Sequence, residues 1–372
     1  MVKFGRLALT AVLAGNALVA HAQSSVTLYG VIDEYLSYKH SSSGASVTSL
    51  EDGGGIYSSR WGIRGVEDLG GGYAVKFQLE SGFSAPSGQF TDTTRFFSRQ
   101  AWVGLSSQYG EIRFGRQNSP VYTMGCYIDF ACRGSGSIVN VFGLPVRYDN
   151  EISLLMNRIY GVAAELQVSL PQDPVVGNQP LVYQMGIDWK SSMFVVGYAG
   201  ARAQPPNAAP IQKDVFYDNV FVNWIYGKGT VYLTFVRSNN NTASGGINNA
   251  GTILSNSGGF NAGTNPDLYH IYRIYQISAD YQISPFMRVG AIIGKIDDSS
   301  GHDRGASEAS VGLFYDLSKR TELMVMVQGL KNQANGGWRL AASGGVKGTF
   351  TVPTDVNGRT ILGALAGISV KF

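Results

Sequence analysis

From Leu181 to Lys190 the side chains alternate. Leu181, Tyr183, Met185, Ile187 and Trp189 fall on one side; Gln184, Gly186, Asp188 and Lys190 fall on the other. A period of two belongs to an extended strand whose faces meet different surroundings. It recurs along the chain. Tyr73, Val75, Phe77 and Leu79 oppose Lys76, Gln78 and Glu80. Tyr275, Ile277, Ala279, Tyr281 and Ile283 oppose Gln276, Ser278, Asp280 and Gln282. Ala309, Val311, Leu313, Tyr315 and Leu317 oppose Glu308, Ser310, Gly312 and Asp316. In a soluble sandwich the apolar face would be the core. The runs are too long for that, commonly about 9 to 14 residues. Soluble strands average about five or six residues, whereas a tilted strand crossing a bilayer needs about 9 to 11.

Sixteen such runs can be marked, the first near 25–38 and the last near 358–372. Their connections alternate between long and short. Long ones fall near 39–55, 85–94, 118–144, 171–180, 205–213, 240–268, 298–304 and 332–357. Short ones include "DLGG" (68–71), "SSQYG" (106–110), "SS" (191–192), "GKG" (227–229), "SP" (284–285) and "SKR" (318–320). Short turns at one rim and long loops at the other mark a transmembrane barrel. In lipid no backbone N–H or C=O can stay unpaired, so a spanning sheet must close on itself. The expected fold is all-β: a 16-stranded antiparallel transmembrane β-barrel, wide enough to hold a water channel.

The chain opens with Lys3 and Arg6, an apolar run from Leu7 to Ala20, and "AHA" at 20–22. That is the pattern of a secretory leader cut after Ala22. Two parts follow: residues 1–22 as signal peptide and 23–372 as barrel. Of 29 basic and 26 acidic residues, removing Lys3 and Arg6 leaves 27 against 26. So balanced a chain lacks the basic excess that a nucleic-acid partner requires. Glycine, at 48 residues, is roughly twice its usual frequency, and no apolar run of 18 follows the leader.

Four segments carry a resemblance to a known family: "SSVTLYGVID" (24–33), "SRWGIRGVEDLGGGYAVKFQLESGF" (59–83), "RFFSRQAWVGLSSQYGEIRFGRQ" (95–117) and "VRYDN" (146–150). They resemble the trimeric general porins of Gram-negative outer membranes, most closely the beta-proteobacterial type. The resemblance implies a homotrimer in the outer membrane, in contact with its lipid, passing small hydrophilic solutes and ions without a cofactor. It implies that the third long loop, 118–144, folds inward. Arg60, Arg99 and Arg147 match the family's wall arginines, which face acidic groups on that loop. Asp129 is the loop's one acid here and Arg133 its one base. Fewer loop acids than the family generally has imply a basic-leaning constriction and a slight anion preference. Glu80, Asp149 and Glu151 are acids that could reverse it. Parity sets Arg60 and Arg64 inward opposite Trp61 and Ile63. It sets Arg147 and Asp149 inward if Tyr148 faces lipid. Arg99 shares parity with the apolar Phe97, Ala101 and Val103. The terminal "GISVKF" alternates, with Ala366, Ile368, Val370 and Phe372 toward lipid. Phe372 matches the family's terminal aromatic, read by the barrel-assembly machinery. Gly363, Ala364, Ala366 and Gly367 are candidates for a flat trimer-contact patch.

Cys126 and Cys132 both lie in the third loop. Export to an oxidising compartment allows a disulfide; two free thiols or a C-x5-C metal clip are the alternatives, the clip lacking a nearby histidine. An enzymatic barrel would need a histidine site for acid–base chemistry. Only His40, His270 and His302 follow the leader, none beside recognisable partners. Tyr29, Tyr232, Phe221 and Phe314 have lumen parity and would line a substrate-specific channel if they formed a track. Trp61, Trp102, Trp189 and Trp224 are candidates for interfacial girdles. Asp267 and Asp303 are candidate surface cation ligands, and "NNNT" (239–242) reads as a polar loop.

Overall fold

The computed structural model describes residues 24–53, 57–171, 181–204, 212–239, 271–299, 301–340 and 348–372. The leader, Asp267, His270 and most of the "NNNT" stretch lie outside them. The strands are β1 (Ser25–Ser41), β2 (Ser46–Glu51), β3 (Arg60–Gly70), β4 (Tyr73–Gly82), β5 (Gln100–Ser106) and β6 (Gly110–Asn118). Two short helices, α1 (Pro120–Thr123) and α2 (Ile138–Phe142), follow in the third loop. Then come β7 (Arg147–Ile159), β8 (Val162–Ser169), β9 (Leu181–Lys190), β10 (Phe194–Gln204), β11 (Val215–Tyr226) and β12 (Gly229–Ser238). The last are β13 (Tyr272–Ser284), β14 (Met287–Asp298), β15 (Ala306–Asp316), β16 (Thr321–Asn332) and β17 (Thr360–Lys371). All join one antiparallel sheet, closed where β1 pairs with β17 from Val31↔Lys371 to Ser41↔Ile361.

The seventeen named strands make sixteen staves, because β2 and β3 share one place beside β1. β3 pairs with Ser25–Val31 and β2 with Tyr35–His40. At the break Ser59 stands in for the missing ladder bonds. Its Oγ accepts from Asp33 N and donates to Asp33 O, both at 3.0 Å. The span 39–55, expected as a long loop, is therefore largely a hairpin. Sequence alternation fades there because both faces of the extension carry polar residues: Lys39 meets Glu51 at 2.8 Å, while His40 Nδ1 bonds Ser46 Oγ at 2.9 Å. β7 runs to Ile159 and turns at Tyr160–Gly161, both with positive φ, as a two-residue hairpin turn requires.

The outer face is apolar along most of the sheet, with Leu28, Ile277, Ile293, Val311 and Val327 among its exposed residues. The closing strand follows the expected alternation: Ala366, Ile368, Val370 and Phe372 are exposed, whereas Leu365 and Ser369 are buried. The Phe372 ring lies over Gly30, where any Cβ would meet its Cζ at 2.2 Å. Of the proposed small-residue patch, Ala364 and Ala366 face out, while Gly363 and Gly367 face Leu340 and Tyr35 on the inside. Trp102 does not join an outer girdle. It is buried, with Arg113 stacked 4.2 Å from its ring.

The principal hydrophobic core sits inside the barrel. Val121, Met124, Ile128, Ile138 and Phe142 of the third loop pack on Tyr217, Phe221, Tyr272 and Ile274 of the wall, together with Trp338 and Val356. Here the rule of polar-in fails, because the wall meets protein rather than water. Four wall glycines make room. A Cβ at Gly186 would strike Met124 and Pro120; at Gly290 and Gly312, Phe130; at Gly294, Ile138.

Candidate pore constriction

The third loop leaves β6 and returns to β7 through one knot. Ser119 N donates to Val146 O at 2.8 Å, and Ser119 Oγ donates to Pro145 O at 2.7 Å while accepting from Tyr122 N at 3.0 Å. The hydroxyl thereby caps α1, and Pro120 supplies the fixed φ favoured at a first helical position. This capped turn sets Tyr122 beside the wall arginines.

Around Tyr122 three guanidinium groups converge. Arg133 lies 3.6 Å and Arg147 4.8 Å from its ring centre, and Arg99 Nη2 donates to its hydroxyl at 3.4 Å. Arg99 Nε also meets Glu80 Oε1 at 2.6 Å, and Arg60 Nε reaches Glu80 Oε2 at 3.4 Å. Tyr29 donates to the same Oε2 at 2.9 Å. Arg147 Nε donates to Asn118 Oδ1 at 2.7 Å, and its Nη2 is buried without a partner. The structure thus brings Arg60, Arg99 and Arg147 together. Arg99 escapes the parity of its apolar neighbours because β5 begins one residue later, at Gln100. Its N–H still pairs with Glu80 O at 3.0 Å. Burial opposes ionisation of the Tyr122 phenol, but the charges of Arg133, Arg99 and Arg147 outweigh it and hold its pKa well below the ordinary value.

Asp129 is placed elsewhere, which corrects its expected position opposite the arginines. It is fully buried at the loop tip, against the wall of β13. Its Oδ1 accepts from Ala131 N (3.0 Å) and Arg133 N (2.9 Å), and its Oδ2 from Ser137 Oγ (2.7 Å) and Gln276 Nε2 (3.0 Å). Burial pushes this carboxyl up against the pull of those bonds. Phe130 N donates to Ser278 Oγ at 3.1 Å, and Arg288 Nη1 donates to Phe130 O at 2.7 Å. Cys126 and Cys132 are joined as a disulfide that flanks this tip. Tyr148, expected to face lipid, is buried in the inner core instead. Phe221 stacks on Tyr127 at 5.5 Å and Phe314 meets Phe130 at 5.8 Å edge-on. These two aromatics hold the loop and are closed to a passing solute.

Sequence reasoning did not single out Tyr122; it named Arg133 as the loop's one base and Glu80 as one of three acids that could oppose the arginines, without setting either beside them. Position alone could have suggested Tyr122, four residues past the end of β6 in a loop that returns to the wall at Arg147.

The model of the Gram-negative porin family matches residues 8–335. The chain belongs to that family. This porin is 38% identical over 160 residues to an outer membrane porin protein of Bordetella pertussis, covering 38% of this chain and 42% of that one. It is 26% identical over 331 residues to the major outer membrane protein P.IB of Neisseria gonorrhoeae, covering 83% of this porin and 89% of its relative. The fold is that of the anion-selective porin from Comamonas acidovorans. The two superpose with a TM-score of 0.70 at 20% identity, over 94% of this porin and 100% of the other.

Proposed function

We propose that this porin is a passive, water-filled pore of the outer membrane for small hydrophilic solutes and ions, with a preference for anions. One observation carries the sign. Arg60, Arg99, Arg133 and Arg147 gather at the loop root with Glu80 as the one carboxylate ion-paired to any of them among the described residues. Rings of charge set ion preference at close quarters. The loop acid that would oppose them is buried in the loop's own mount. The resemblance in fold to a porin described as anion-selective supports the same sign. Reversal potential across a planar bilayer in a potassium chloride gradient tests it; a clear cation preference overturns it.

The assembled form on this reading is a homotrimer. Support comes from the exposed Ala364 and Ala366 and from an aromatic cluster outside the barrel, where Phe96 lies 4.7 Å from Phe97 and 6.3 Å from Trp61. A native gel in mild detergent that resolves only monomer counts against it. Phe372 acts as the terminal element recognised in assembly, seated on Gly30. Deleting it is expected to lower the amount of assembled barrel while the conductance of what assembles stays the same; unchanged surface abundance refutes the role.

A further inference from the structure

On β3 the inward positions run Arg60, Gly62, Arg64. Gly62 is directly opposite Tyr29 on β1. Its missing side chain lets the Tyr29 ring lie across the strand, since a Cβ there would fall 2.6 Å from Tyr29 Oη. The ring is seated at the position between the two arginines. Its centre is 5.3 Å from the Arg64 guanidinium, and its hydroxyl donates to Glu80 Oε2 at 2.9 Å. The pairing of cation and tyrosine recurs. Tyr57, just before β3, has Lys371 Nζ of the closing strand 4.0 Å from its ring centre and donating to its hydroxyl at 2.8 Å, with Arg60 at 5.8 Å. Tyr122 has Arg133 and Arg147. All three rings are half-buried, and Arg64 is exposed.

The cations of the inner wall divide by partner. Lys76 and Arg113 share Glu111, Arg158 meets Asp188, and Arg288 meets Asp280. Arg113 and Arg288 lie over rings as well, those of Trp102 and Phe314, but their charge is neutralised. Arg64, Lys371, Arg133 and Arg147 have no carboxylate in ion-pair reach among the described residues, and each lies against a tyrosine. Of the acids in their sector, Glu80 is held by Arg99 and Arg60. Asp33 is buried at the break between β2 and β3, and Glu322 stands opposite Asp316 nearer the short-turn rim.

A guanidinium or ammonium group backed by a ring keeps its free side for the lumen. There it can attract the face of a second ring, and its N–H groups can hold a carboxylate. A solute that carries both gains twice at each station; an aliphatic acid of equal charge gains once. We infer that the wall from Tyr122 down to Arg64 is a binding track for aromatic carboxylates. The inference rests on the anion preference proposed above and names the class of anion held longest. Arg60 and Arg64, four residues apart on one strand, are separated by about 13 Å. A solute therefore passes from station to station and is not bridged between them.

The test uses the full-length folded porin in a planar bilayer, with current carried by potassium chloride and either benzoate or cyclohexanecarboxylate added. The two acids have the same charge and differ in the π face; adsorption driven by apolar area alone would treat them alike. Benzoate is expected to halve the current at a concentration roughly threefold lower. Arg64→Gln with Lys371→Gln is expected to shrink that ratio, while Lys228→Gln, in a turn at the short-turn rim, keeps it. Heat-modifiable gel migration checks that each variant is folded; if the double variant is not, Arg64→Gln alone is read, with a smaller decrease. Equal inhibition by the two acids under an intact anion preference overturns this inference alone. So does an unchanged ratio in the folded variants. A cation preference in potassium chloride overturns the inference together with the function on which it rests.

Discussion

The two ends of the third loop use charge in opposite ways. At the root, arginines crowd a half-buried tyrosine and outnumber the one carboxylate ion-paired to them among the described residues. At the tip, the loop's single acid is sealed from water and consumed by four hydrogen bonds. On the function proposed above, the tip holds position and the root sets the field. A charge therefore contributes to selectivity by where its chain segment leaves it, and the loop's formal charge balance says little about the pore.

Breaking the tip should have the largest effect. Asp129→Ala strands the backbone N–H groups of Ala131 and Arg133 and leaves Ser137 Oγ and Gln276 Nε2 with only their second partners, Gln276 Oε1 at 3.2 Å and Ile128 O at 3.2 Å; an unsatisfied buried group costs about 1–3 kcal/mol. The loop is expected to leave its mount, raising single-channel conductance and current noise. Gly290→Val should act the same way, since its Cβ falls 2.3 Å from the Phe130 ring. Unchanged conductance in both variants would mean that the tip is held by its apolar contacts alone. Selectivity should keep its sign in either case, because the wall arginines Arg60, Arg99 and Arg147 lie outside the loop tip.

The root should respond in selectivity with little change in conductance. A unit charge acting on an ion about 6 Å away through water is worth about 0.7 kcal/mol, roughly a threefold change in ion preference. Arg147→Gln and Arg60→Gln are each expected to lower the anion-to-cation ratio by about that factor. A variant that alters conductance severalfold while leaving reversal potential untouched would place its arginine in the mount rather than the field.

Much of this was legible in the sequence, and the failures share a cause. Period-two alternation reports which side of a strand meets lipid, so the sixteen staves and the outward face of "GISVKF" could be read. It cannot report what fills the inside. Phe221 and Phe314 looked like candidates for a solute track because they point inward, yet the loop covers them. Tyr148 and Trp102 were set outward because apolar residues were assumed to seek lipid. The wall glycines at 186, 290, 294 and 312 gave no local signal at all, since a socket is defined by the distant side chain that enters it. Arg99 was ambiguous only while it was given the parity of Phe97, Ala101 and Val103, as if one strand ran through all four; β5 begins after it, at Gln100.

A subtler contrast separates the ends by pH. The Tyr122 phenol is held well below its ordinary pKa by the surrounding arginines. Loss of its proton as pH rises adds one negative charge to the root, so anion preference should fall with rising pH, at values below the usual range for tyrosine. Tyr122→Phe should remove that step and leave the rest of the profile in place. A step that survives in the phenylalanine variant would assign it to another group.

The smallest effect is expected from the disulfide. Cys126 and Cys132 close a loop of sequence separation 6 around the tip. On the chain-entropy model so short a loop contributes about 2 kcal/mol, acting through the unfolded chain. In the folded barrel the tip keeps its other fastenings: Asp129 in its four bonds, Phe130 N on Ser278, and Ile128 O accepting from Thr234 Oγ1 at 2.9 Å. Reduction, or Cys126→Ser with Cys132→Ser, should therefore lower the temperature of unfolding slightly while mean conductance and reversal potential stay the same. If conductance instead jumps on adding reductant, and Asp129→Ala has no effect in the oxidised protein, then the tip is held by its covalent link. The division between a hydrogen-bonded mount and a charged root would then fail at the mount.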